Sequence, residues 1–464
     1  MNFKLRNMVA ATLAGTALMG FGTSAMADST FDLVQALVAK GVLTEEEALP
    51  LLKGRENDIQ LADKKVKKAA KLSVSDAVDN ATLYGDIRVR GEYRDGTTPT
   101  VGAVAGQKTK LTRDRYKVTL GVKTESGDFY TDLAIAMGAK GRSDNADFGT
   151  VTGTTNEVDA KQGLFVKTAM IGYKATDWLT LEAGRMKNPL YTTPMVWDAD
   201  LNVEGLAEKV NYKLNYTDMF FTAVQSQYLG TRKVVNNIPA ASTGTSELLA
   251  FQGGAKYTFD DKTTAKAALT YTTYTRNVTA TNFGTGVGSA GNFNAVNDLD
   301  TIEIPAEVNY MATNSIGVRL FGDYVYNTSA DDRANNSKLT TTGSSGSDDT
   351  AWMLGVMVGS ANDLKSFEAN KMVKGDWSAR LWYQDVGVWS TDANLVDSDF
   401  MDGRVNVKGT TFKAQYNVQE NVAINFAYGH GTKKNNVFYA MGSSDISGDL
   451  KKYNLMQLDL TYKF

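Results

Sequence analysis

The sequence predicts an all-β transmembrane protein, an antiparallel β-barrel of about sixteen strands with a short helical N-terminal periplasmic segment. Three observations carry this. From Ala81 onward, apolar and polar residues alternate with a period of two. The connections between the alternating runs are short and long in turn. One face of the runs is too heavily charged to line a dry core.

The elements follow in chain order. Lys4 and Arg6 precede a small, apolar run from Met8 to Phe21, and Ala25-Met26-Ala27 has the small-x-small pattern of a cleavage site. Residues 1–27 are therefore expected to be a signal peptide. Residues 28–80 are expected to be a helical periplasmic segment. FDLVQALVAKG places Phe31, Val34, Leu37 and Val38 at helical spacing, with Gly41 as the stop. Thr44 with Glu47 forms a capping box, and Ala48, Leu51 and Leu52 continue a second helix. The lysine-rich DKKVKKAAK reads first as a solvated face, and second as a contact for lipid headgroups or peptidoglycan.

Residues 81–464 are expected to be the barrel. In TLYGDIRVRGEYR, Asp86, Arg88, Arg90, Glu92 and Arg94 share one face, and Leu83, Ile87, Val89 and Tyr93 the other. RDRYKVTLGVK repeats the pattern, with Arg113, Arg115, Lys117 and Lys123 against Tyr116, Val118, Leu120 and Val122. Comparable segments recur to the end of the chain. The short connections include ESGD at 125–128, NYTD at 215–218 and VQEN at 418–421. Long ones, rich in Gly, Ser, Thr, Asn and Asp, include 188–203 and 391–403. Short turns at one end and long loops at the other is the transmembrane-barrel arrangement. NDLKSFEANKMVKG, near 362–375, is long where a short turn is due. It is either a longer turn or a sign of a miscounted strand.

The charged face also holds Lys209, Lys256, Lys266, Glu303, Glu307, Arg319, Asp323 and Lys413. Burying so many ions in a dry core costs several kcal/mol each. They are therefore expected to face water inside, while the apolar face meets lipid. Tyr84, Trp178, Tyr257, Phe259, Tyr310, Trp377 and Tyr462 are expected in an interfacial girdle. A barrel of about sixteen strands has room for an aqueous channel. Passive diffusion of small hydrophilic solutes is the expected function.

The chain has no cysteine, a single histidine and a net charge of -3. No thiol chemistry, metal centre, cofactor or nucleic-acid partner is expected, and no nucleophile and base assemble around His430. GTGVGSAG at 284–291 lacks the lysine of a phosphate loop. DSDFMDG at 397–403 is one place out of register for a calcium loop.

Three stretches resemble a known family. They are LVQALVAKGVLTEEEALPLL, GRMKNPLYTTPMVWDADLNVEGLA at 184–207, and GDWSARLWYQDV at 375–386 followed by DSDF at 397–400. The chain resembles the bacterial outer-membrane porins, in the family usually called putative porins. The resemblance implies a barrel in a Gram-negative outer membrane, among lipid and lipopolysaccharide, that assembles as a homotrimer with a loop folded into the pore. It also implies that the barrel-assembly machinery reads the terminal aromatic strand, with Tyr462 and Phe464 as its signal. The candidate pore loop is 188–203. Asp198, Asp200 and the adjacent Glu204 are expected at the constriction, facing pore-lining Arg88, Arg90, Arg94, Arg113, Arg115 and Lys117. Basic residues outnumber acids on the inferred lumen face, so a mild anion preference is expected. Two alternatives stand beside a general channel: an anion- or phosphate-selective channel, and a barrel-anchored tether that binds cell wall through residues 28–75.

Overall fold

The structure, a computed structural model, describes residues 78–98, 106–138, 143–149, 162–229, 246–275, 299–336, 348–360, 373–397, 399, 405–435, 445–446 and 450–464. The chain divides into two units, residues 1–74 and 75–464. The expected signal peptide and nearly all of the expected helical segment lie outside the described residues. The second unit is a closed antiparallel barrel.

Eighteen hydrogen-bonded segments form one continuous sheet. One is a two-residue bridge, Ala146–Asp147, in the loop after the third strand, and two are halves of one interrupted strand. Sixteen wall strands remain. They are β1 (Asn80–Thr97), β2 (Lys108–Ser126), β3 (Phe129–Gly138), β4 (Gly163–Lys174), β5 (Leu179–Lys187), β6 (Asn202–Leu214), β7 (Thr217–Leu229) and β8 (Ser246–Thr258). There follow β9 (Thr263–Tyr274), β10 (Thr301–Glu303 and Ala306–Met311), β11 (Ile316–Asn327), β12 (Thr350–Ser360), β13 (Trp377–Val386), β14 (Val407–Gln419), β15 (Val422–Lys433) and β16 (Lys452–Lys463). Each pairs with its sequence neighbour, and β16 returns to β1 in register from Asp86↔Lys463 to Thr97↔Lys452. No edge strand is left in hydrocarbon.

Local chemistry explains the ends and breaks. The turns after β2, β6 and β14 need a positive φ, which Gly127 (55°), Asn215 (50°) and Asn421 (68°) supply. The break in β10 falls at Ile304-Pro305, where Pro305 has no N–H to give. Its carbonyl still accepts from Ala268 N at 3.1 Å, and Ile304 N bonds Tyr324 O at 2.8 Å, so the wall stays closed. Most of the irregular connection near 362–375 lies outside the described residues. The strands on either side of it, β12 and β13, are direct partners from Ala351↔Val386 to Gly359↔Ser378.

The alternation sorts side chains as the sequence indicates. Leu83, Ile87, Leu354, Val356, Leu458 and Leu460 are exposed on the outside. Arg90, Glu92, Arg94, Arg115, Asp323 and Asp459 are buried inside. Of the girdle candidates, Trp178, Tyr257, Phe259, Tyr310, Trp377 and Tyr462 are outward and exposed. Tyr84 is a correction. It points inward and donates to Asp132 Oδ1 at 2.5 Å, with its ring over Gly121 where a Cβ would clash. Tyr130 repeats this over Gly172, donating to Glu182 at 2.6 Å.

The apolar packing lies inside the barrel, towards the loop end. Met195 and Trp389, both from loops, are fully buried with Val325, Ala351, Val386 and Tyr453 of the wall. A second cluster joins Met186, Val203, Val224 and Leu248 to Leu190 and Trp197.

Candidate functional site

Inside the barrel, two loops meet a wall of paired charge. The wall is built by β1, β2 and β16. Arg90 grips Asp459 through two parallel bonds, Nε at 2.8 Å and a terminal nitrogen at 2.9 Å. Glu92 accepts from Arg94 at 2.8 Å, from Arg113 at 2.6 Å and from Gln457 at 2.8 Å. Arg115 donates to Asp147 at 2.8 Å, and Arg113 to Asp445 at 2.8 Å. Arg88 reaches Asp459 at 3.7 Å and also bonds Asn145. Lys117 lies 3.4 Å from Asp144 and 4.0 Å from Asp200. All six basic residues expected to line the pore therefore point inward, and each has an acidic partner. Alternation on one strand and register with the next create this array, because Arg88, Arg90, Glu92 and Arg94 sit opposite Lys117, Arg115, Arg113 and Leu111.

The first inward loop is 188–201. It leaves β5 and crosses the lumen to β8, β10 and β11. Tyr191 exchanges two bonds with the Gln252 side chain, each 2.8 Å. Thr192 donates to Glu303 and Thr193 to Asp323, each at 2.5 Å. Tyr191 OH donates to Glu307 at 3.2 Å, and the Lys266 ammonium lies 3.8 Å from the centre of its ring. Met195 then plugs into the apolar cluster.

The second inward loop begins after β13. Asn327 bonds Trp389 O at 2.8 Å, Tyr274 OH bonds Asp392 at 2.7 Å, and Asn394 bonds Tyr228 OH at 2.6 Å. Asp399 reaches the opposite wall, 3.0 Å from Arg94 and 3.6 Å from Arg90. The two loops join through two backbone bonds, Asp198 N to Leu395 O at 2.6 Å and Asp397 N to Pro194 O at 3.1 Å.

Acids collect at that junction. Burial, then the charges of Asp397 and Asp200, push Asp198 up to about 8. Asp397 is raised by burial and then by Asp399. Burial acts on Asp399 in the same direction, but Arg90 and Arg94 outweigh it and hold its carboxyl far below the usual range.

Asp198 and Asp200 lie on the first inward loop. Asp200 approaches the basic wall at Lys117, whereas Asp198 is turned to the second loop. Glu204 is elsewhere: it sits on the outward row of β6 with Leu206, paired with Arg185. The second loop was not foreseen. Its signal was Val388, Trp389, Ala393 and Val396, an apolar content that an external loop has no use for. Asp397 and Asp399, read as a poor calcium motif, serve the loop junction; the rest of that motif lies outside the described residues.

A family model described as putative porin matches residues 94–292 and 277–464. The chain belongs to the putative porin family. Its barrel is thus a porin-type channel barrel of an outer membrane. Solved structures similar to it include a double mutant of Rh. blastica porin, at 12% identity and TM-score 0.39 over 83% of this chain and 100% of that one. Another is a Salmonella typhi OmpF complex with daunomycin, at 14% identity and TM-score 0.42 over 84% and 99%. A third, titled "Asymmetric conductivity of engineered proteins", has 12% identity and TM-score 0.39 over 83% and 100%. At that level of likeness these neighbours place no individual strand or loop of this porin. No curated protein matches the chain.

Proposed function

We propose that this porin is a weakly selective, water-filled channel for small hydrophilic solutes and ions in a Gram-negative outer membrane. The observation that carries the reading is the constriction. Two loops fold into a sixteen-stranded barrel and stop against a wall whose charges point at the lumen. Paired charges of both signs give a strong local transverse field with little net charge. Such a surface orders water and dipolar solutes while rejecting neither ion sign strongly. Because Glu92, Asp144, Asp147, Asp399, Asp445 and Asp459 match the basic residues, the pairing supports only a mild anion preference. No free arginine ladder of the kind a phosphate-selective channel would use is evident among the described residues.

Planar-bilayer recording of the refolded barrel tests this. Stable ohmic steps and a small reversal potential in a salt gradient are expected. A closed barrel, or near-ideal selectivity for one ion sign, overturns the proposal.

A further inference from the structure

Two lysines on the inner wall lack a counter-charge. Lys256 of β8 and Lys266 of β9 are direct partners in the register, on the row that faces the lumen. Like charges opposed across an antiparallel pair repel and weaken it. Carboxylates stand on both sides, since Asp218 of β7 is opposite Lys256 and Glu307 of β10 is opposite Lys266. Both acids turn away. Asp218 lies 3.7 Å from Lys213. Glu307 accepts from Tyr191 OH at 3.2 Å and from Asn309 at 3.0 Å, and lies 3.7 Å from Arg319. Neither lysine ammonium has an ion pair or hydrogen bond among the described residues. Arg90 and Arg115 are opposed in the same way on the charged wall, but there Asp459 and Asp147 answer them.

What lies beside the lysines is aromatic. The Lys266 ammonium is 3.8 Å from the centre of the Tyr191 ring and 5.1 Å from that of Phe220. Phe220 lies across Gly254 of β8, where a Cβ would clash with it. Tyr191 comes from the first inward loop, which is fastened to Gln252, further along the same inner row of β8. Lys256 and Lys266 lie nearer the short turn between β8 and β9, so the pair sits on the short-turn side of that loop. Lys256 is exposed to the lumen.

We infer that this corner of the lumen binds organic anions in which a carboxylate is joined to a flat apolar body, an aromatic carboxylate in the simplest case. Directly opposed residues have their Cα atoms about 5 Å apart, so the two ammoniums can each donate to one oxygen of the same carboxylate. The Tyr191 and Phe220 rings offer apolar surface to the body of the anion. Inorganic phosphate would use the charges and leave the rings idle. The inference rests on the porin reading and deepens it, by naming a solute class that one wall of a weakly selective channel retains.

Planar-bilayer recording of the full-length protein in potassium chloride tests this, with benzoate, acetate or inorganic phosphate added in turn. Benzoate is expected to interrupt the current at a several-fold lower concentration than acetate or phosphate. Lys256→Gln and Lys266→Gln should each weaken the benzoate effect about fivefold, the size of a partly exposed ion pair. Lys123→Gln removes an inward lysine of β2, which lies over the Tyr84 ring, and should leave the benzoate effect unchanged. Equilibrium dialysis of benzoate against the protein in detergent is the second arm and needs no current. Equal action of the three anions overturns the inference, as does a loss in Lys123→Gln as large as that in Lys266→Gln. If the unmodified protein carries no current in potassium chloride, the channel reading falls and dialysis decides the site. Tighter benzoate binding by the unmodified protein than by Lys266→Gln then sustains the inference, and equal binding overturns it.

Discussion

The two sides of the lumen use acids for opposite purposes. On β1, β2 and β16, Glu92 and Asp459 neutralise arginines that face the channel. On β10 and β11, Glu303 and Asp323 accept hydroxyl bonds from Thr192 and Thr193, so they hold the inward loop. In the proposed channel, one wall would set the field that a solute meets and the other would hold the loop that sets the width of the passage. The difference shows why charge counted along a strand says little about selectivity. The same carboxylate is a pore charge or a loop anchor according to which donor faces it.

Glu92→Gln should have the largest effect. Glu92 is 3% exposed and serves Arg94, Arg113 and Gln457. Removing one member of a buried charge cluster costs about 3–5 kcal/mol. The freed arginines should also shift the reversal potential towards anions. An unchanged melting temperature together with unchanged selectivity would show that the two walls are not distinct in this way.

Thr192→Val comes next. It leaves Glu303 without that donor and loosens the loop, at about 1–3 kcal/mol for a buried acceptor that loses its partner. Conductance should rise and become noisier, while selectivity changes little. A selectivity change as large as that of Glu92→Gln would contradict the division of labour.

How much of this was legible depends on distance along the chain. The strands were legible because a period of two is local, and even the Ile304-Pro305 break is written in the residues. The lumen arginines were legible by face. Their partners were not: Asp459 is 369 residues from Arg90, and Asp399 is 305 from Arg94. Closure of the barrel and folding of a loop make those pairs, and neither leaves a local pattern. Glu204 failed for a related reason. It follows the pore loop in sequence, but β6 has begun by then and its alternation turns that side chain outward. Tyr84 failed because an aromatic at a strand end fits a girdle and equally fits a ring laid over an inner glycine.

The loop junction yields a pH-dependent effect of intermediate size. Asp198, pushed up to about 8 by burial and by Asp397 and Asp200, is protonated at neutral pH while the loops are docked. Undocked, it would return towards the ordinary value of about 3.9. A raised acid favours the docked state fully below the lower value, and that advantage is lost as pH rises to about 8. Conductance should therefore increase as pH rises from about 4 to about 8, the range these two values set. Asp198→Asn should flatten the profile. A profile that Asp198→Asn leaves intact would assign the pH dependence to other groups.

The smallest effect belongs to the contact where the two systems touch. Asp200 of the loop lies 4.0 Å from Lys117 of the charged wall, and both are partly exposed. A pair at that separation in a wet lumen is worth about 0–1 kcal/mol. Asp200→Asn should leave the melting temperature unchanged and move the reversal potential slightly towards anions, because it removes one negative charge beside the passage. Raising the salt to about 1 M should abolish even that shift, since the screening length falls to about 3 Å. A large loss of stability would mean that the loop is held from the charged wall as well as from β8, β10 and β11, and the contrast between the two sides would fail at this point.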